Sequence, residues 1–166
     1  MIKLRHETLI IISGLVWFAV GVLLLTIGIR FILSGINPTD VLEIPSLPIL
    51  SRLGPYLGGM EQAALVLVAL ALFIGNLKGK HVLGKSANKG IARIRSFSNP
   101  TSLSNIYSSK YYILLAVMIG LGLSMKFLGF PADIRGFIDI AVGAALISGS
   151  MIYFRNAAMS PAKEKR

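Results

Sequence analysis

The chain is 166 residues long, 54% hydrophobic and 14% charged, with a formal net charge of +10 and no cysteine. Soluble domains carry about 25% charged residues, so the composition excludes an ordinary soluble fold. The missing cysteines exclude disulfides, thiolate metal centres and cysteine nucleophiles.

Four long apolar stretches lie at about residues 9–33, 60–77, 111–130 and 136–154. Each comes close to the ~20 residues that cross a ~30 Å hydrocarbon core as a helix. Their apolar character is continuous rather than alternating, which excludes a transmembrane barrel. The expected fold class is an all-α integral membrane protein, residues 1–166 forming one domain of four transmembrane helices in two hairpins.

The first stretch is too long for the apolar region of a secretory signal and lacks a small-residue exit, so it is expected to stay as a helix. It carries Gly14, Gly21, Gly28 and Gly35 at a seven-residue interval. That period keeps them near one face, where small side chains let another backbone approach. The external loop 34–59 holds Pro38, Pro45, Pro48 and Pro55 among many apolar residues. It is expected to lie on the outer interface or fold back over the bundle, with a short helical turn around 46–53.

After the second stretch comes a basic loop, residues 78–110. Within it Leu83, Ala87, Ile91, Ile94 and Phe97 recur at spacings of three and four, while Lys85, Lys89 and Arg93 form a stripe. This predicts a basic amphipathic helix lying in the headgroup region. Lys80, Lys85, Lys89, Arg93 and Arg95 are the candidate contacts to anionic headgroups or a partner protein. Residues 96–105 read as a flexible linker, and Tyr107, Tyr111 and Tyr112 as an interfacial aromatic belt.

The third stretch carries Ala116, Gly120 and Ser124, and the fourth Ala141, Ala145 and Gly149, with Ala144 beside Ser148. These are further candidate packing seams, serving the bundle itself or a second copy. Gly58–Glu61 and Gly136–Asp139 each precede an Ala-rich span, the trace of a possible parallel duplication.

Charge sets the orientation. The N-terminal segment, the 77–110 loop and the C-terminus hold 13 basic residues against two acids, whereas the opposite side holds four bases and five acids. Both termini and the basic loop are therefore expected in the cytoplasm of a bacterial-type inner membrane.

Candidate chemistry is sparse. His6 and His81 are the only histidines; His6 is expected to be solvated beside Arg5 and Glu7, and no metal or cofactor motif is present. Four charges deserve a functional test because charge inside a bilayer is costly. Counting 1.5 Å per residue from the basic inner ends, Lys126 and Asp139 fall ~24 Å and Glu61 ~26 Å above the inner boundary, with Arg30 higher. Lys126 is expected to pair with Asp139, and Glu61 to point into the bundle. The expected function is non-enzymatic, that of a scaffold, assembly or accessory subunit acting through helix packing and the basic loop. It would work as a homo-oligomer or with a partner membrane protein, without cofactor or nucleic acid. The alternative is a small oligomeric transporter or channel using Glu61, Lys126, Asp139 and Arg30.

Overall fold

The computed structural model describes residues 3–34, 36, 47–97, 101–102, 120, 124–125 and 127–159. Apart from one two-residue antiparallel pair, the described elements are helices. They are α1 (His6–Ser34), α2 (Pro48–Leu57), α3 (Met60–Lys78), α4 (Gly84–Arg95) and α5 (Ala132–Ala158). A π-helical turn, Gly79–Leu83, joins α3 to α4 without a break. Three continuous helices, His6–Ser34, Met60–Arg95 and Ala132–Ala158, are long and apolar enough to cross a membrane. The predicted third span, with Ala116 and Lys126, falls almost wholly outside the described residues, as do Gly35 and the three belt tyrosines.

The central element is α5. In its apolar window 44% of residues are buried, against 28% for each of the other two spans, because it carries two small-residue faces. One face is Gly136, Gly143, Ser150 and Ala157, all buried and seven residues apart. It meets the glycine series of α1, which runs antiparallel. A methyl added at Gly21 would lie 2.9 Å from the Gly143 carbonyl oxygen, and one at Gly143 would lie 2.7 Å from that of Gly21. Gly28 and Gly136 repeat this reciprocal arrangement at 2.7 Å each way. Gly14 faces the Tyr153 side chain. Seven-residue spacing keeps such contacts in phase along a pair of helices. With no side chain between the backbones, dispersion contacts replace the hydrophobic drive that lipid does not supply.

The second face of α5 serves α3, which runs parallel to it. Gly75 lies against the Ala141 carbonyl and the Ala144 side chain, and Gly79 against Ala145 and Ser148. The Ser148 hydroxyl donates to Asn76 Oδ1 at 2.8 Å across this seam. Ala141 and Ala145 thus line the contact with α3, whereas Gly149 faces the Trp17 ring. Gly120 has nothing within 4 Å of an added methyl, and the exposed Ser124 hydroxyl turns back to the Gly120 carbonyl at 2.7 Å. The parallel course of α3 and α5 is the relation a duplication would require.

Two expectations about the basic loop are corrected. The amphipathic segment is not a separate helix but a continuation of the second span, and its apolar face is covered by the bundle rather than left for lipid. Its apolar residues Ala87, Ile91 and Ile94 are buried against Leu9, Ile10 and Tyr153 of α1 and α5. The π turn makes this possible. Buried positions fall at 63, 64, 67, 71 and 75 on α3 and at 79 in the π turn, and the next falls at 84, a step of five closed by the Gly84 N–H to Gly79 carbonyl bond. One extra residue is absorbed there, and the apolar stripe of α4 stays on the bundle side. The second correction concerns the linker: Thr101–Ser102 pairs antiparallel with Lys3–Leu4. The backbone groups of the N-terminal segment take hydrogen bonds that a polar, Ser-rich sequence would otherwise give to water.

Two tests follow. Gly21→Ala should destabilise the folded protein by about 1–3 kcal/mol through overpacking, while Gly120→Ala should be neutral or slightly stabilising; thermal unfolding in one detergent compares them, and equal shifts would discredit the seam. Deleting Val82, exposed in the π turn, should convert it to a regular α-helix and keep stability. Deleting Asn88 should swing Ile91 and Ile94 by about 100° and lower the unfolding temperature sharply.

Candidate functional site

The best-defined polar arrangement sits at the loop end of the bundle, around Asp133. Helix α2 starts at Pro48, which has no N–H, after Leu47, whose side chain cannot cap. The first-turn amides of Ile49 and Leu50 therefore lack local acceptors. Asp133, fully buried near the start of α5, supplies them. Its Oδ2 accepts from the Ile49 N–H at 2.7 Å and the Leu50 N–H at 3.2 Å, and its Oδ1 accepts from the Ile134 N–H at 2.8 Å. One carboxylate thus sits at the positive ends of two helices. Around it Leu47 and Leu50 pack with Ile32, Leu67 and Ile140, so the described part of the loop, Leu47 and α2, folds back over the bundle. Next to this, the Arg135 guanidinium lies 4.3 Å from the centroid of the Phe31 ring, a cation–π contact that holds the same end of α1.

The four candidate intramembrane charges are distributed differently from the expectation. Glu61 is exposed in the first turn of α3 rather than pointed into the bundle, Arg30 is exposed on α1, and Asp139 is partly buried on α5. Lys126, and with it the expected Lys126–Asp139 pair, lies outside the described residues. Glu61 and Asp139 are also not at one height. The Gly75 and Gly79 contacts set the level of α3 on α5 and place Glu61 roughly ten residues, ~15 Å, above Asp139. The depth count assumed that the basic ends of the helices align, whereas the glycine seam sets their register.

At the opposite end the basic residues Lys80, in the π turn, and Lys85, Lys89, Arg93 and Arg95, on α4, are all exposed, with Lys85, Lys89 and Arg93 on the side away from the buried stripe. Arg95 reaches back to the Asn156 carbonyl at 3.4 Å. His81 shares a hydrogen bond of 2.9 Å between its Nδ1 and the Leu77 carbonyl one turn earlier. His6 is not solvated as expected: its Nε2 is buried and lacks a partner among the described residues. No cluster of three or more metal-ligating side chains occurs among the described residues.

Sequence reasoning missed Asp133, Gly75, Gly79 and the Gly136–Gly143–Ser150–Ala157 series. The last two groups carry a visible signal, since Gly75-x-x-x-Gly79 and a seven-residue period can be read directly. Asp133 carries only that of an acid in a first helical turn. No family model matches the chain, and no curated protein or solved structure shows significant similarity to it.

Removing the shared cap should release α2. Asp133→Ala should cost about 2–3 kcal/mol, from two lost caps and unsatisfied amides, while Asp133→Asn, keeping one acceptor, should cost about half as much. Amide exchange at Ile49 and Leu50 reads this directly; unchanged protection in Asp133→Ala would remove the cap from the account.

Proposed function

We propose that this is a non-enzymatic, four-span protein of a bacterial-type inner membrane, with both termini and α4 in the cytoplasm. It serves as a scaffold, assembly or accessory subunit. The charge asymmetry supports the orientation. So does the antiparallel course of α1 against α3 and α5, which brings the start of α1, the basic α4 and the end of α5 to one end of the bundle. The observation that carries the functional reading is the closure of both α5 seams. Where backbone meets backbone at Gly21–Gly143 and Gly28–Gly136, no path for a solute is left between those helices. The molecule instead offers surfaces: an apolar girdle including Leu15, Leu23, Leu65 and Phe73, each more than half exposed, and the cationic side of α4.

A subunit that works through surfaces associates. In mild detergent the protein should run above its 17.9 kDa monomer mass, as a homo-oligomer or with a partner membrane protein. A protein that is monomeric in detergent and also yields no crosslink in its native membrane would sink the proposal. Reporters placed after Arg166 and near Ala87 should both respond as cytoplasmic; opposite compartments would overturn the orientation. Proteoliposome solute flux should be at background for the unaltered protein, and flux that Glu61→Gln with Asp139→Asn abolishes would replace a scaffold by a transporter.

A further inference from the structure

The register of the three helices leads to a surface that charge counting alone does not reveal. Gly79 is level with Ala145–Ser148 of α5, and Gly21 of α1 is level with Gly143–Ile147. The lysines that follow Gly79 therefore begin at mid-height of α1, not at its end. Gly84 contacts Ile152, and Gly14 contacts Tyr153 and Phe154, so Lys85 and Leu15 stand at about the same height. Around one slice of the bundle the two walls then differ. The α1 wall exposes Ile11 at 45% and Leu15 at 58%, a surface suited to acyl chains. The α4 wall, taken with the π turn that leads into it, exposes Lys80, Lys85 and Lys89, a surface suited to phosphates. About 15 residues of α1, ~22 Å, lie on the inner side of the level of Gly79.

The chain has little of its own to neutralise that wall. Between Glu61 and Asp133 the sequence holds eight Lys and Arg and no Asp or Glu. Apart from Glu7 and Glu164, the acids assigned to the same side, an anion from outside the protein is the counter-charge that this wall suits.

We infer that the α4 wall seats the phosphates of anionic phospholipids from the inner leaflet, drawn up on that side to the level of Lys80 and Lys85, while acyl chains cover α1 at the same height. The protein thereby thins the inner leaflet on one side only. Thinning and snorkelling are the ordinary responses of a bilayer to charge at depth, and each surface cation adds attraction for an anionic leaflet. This inference rests on the cytoplasmic placement of α4 proposed above.

The cysteine-free chain allows a direct test. Nitroxides at Ser86→Cys and Leu15→Cys, both exposed positions at similar height, are compared in vesicles of phosphatidylglycerol and phosphatidylcholine. The Leu15 label should be accessible to oxygen and the Ser86 label to a water-soluble nickel chelate; matching accessibility at the two sites overturns the one-sided thinning. Lipid retained through detergent purification should favour phosphatidylglycerol over phosphatidylcholine at least tenfold. Lys80→Gln, Lys85→Gln and Lys89→Gln together should bring this to within twofold, and Arg52→Gln, on α2, should leave it unchanged. Equal retention of the two lipids by the unaltered protein overturns the lipid seat. Complete displacement of the retained lipid by inorganic phosphate would assign the wall to a free anion and also overturn it. Reporter fusions in opposite compartments would undo the orientation instead, so the two failures are distinguishable.

Discussion

The contact on which the rest of the molecule depends is the meeting of backbones between α1 and α5. At Gly21–Gly143 and Gly28–Gly136 each carbonyl fills the space where the other residue's Cβ would be. Such a fit is satisfied at one axial setting. Sliding the pair by one residue would drive Leu or Ile side chains into the opposing backbone, and in a close-packed interior that cannot be absorbed. The register of α1 on α5 is therefore fixed by sterics rather than by any wish of the apolar windows to share a common height. The Gly75 and Gly79 contacts do the same for α3 on the other side of α5.

Fixing the register by glycine has a consequence for solvation. The apolar window of α3 ends at Leu77, level with the middle of α5, while α5 continues through Ile152 and Phe154. Had α3 stopped there, the first half of α1 and the last half of α5 would have lost a neighbour. Helix α4 fills this place with Ala87, Ile91 and Ile94 turned inward. The π turn is what lets a sequence one residue out of phase do so. The continuous Met60–Arg95 helix has 36 residues, ~54 Å at 1.5 Å per residue, nearly twice a hydrocarbon core. It is long because its first half packs on α2 and α5 and its second half extends the bundle along α1 and α5.

Much of this was legible in the sequence, and the misses have physical causes. The heptad glycines of α1 were readable because the period itself implies a face. Their partners on α5 follow the same rule, but Ala141, Ala145 and Gly149 at spacings of four masked them on the same helix. The stripe of α4 was visible as amphipathic. Periodicity gives a face without saying what covers it, and here packing on α1 and α5 takes the place expected for lipid. The relative heights of Glu61 and Asp139 could not be read at all. A count along one helix carries no information on its axial shift against another, and that shift is decided by side chains of near-zero size.

Asp133 shows the same limit from the polar side. Its bond to Ile49 spans 84 positions in sequence, and nothing local to either residue asks for the other. The requirement becomes visible only when the ends of two helices are placed together. Pro48 enters α2 without an amide hydrogen, Leu47 cannot cap, and the loop is apolar enough to bury itself, so its first two free amides leave water. A buried N–H without an acceptor costs about as much as a hydrogen bond yields, and a carboxylate answers two at once while the helix dipoles favour its charge. The apolar residues of the loop thus bring α2 onto the bundle, and Asp133 determines which turn of α2 rests there. The loop end is thereby organised by one charge with directional bonds, and the α4 end by glycines and by cations that face outward.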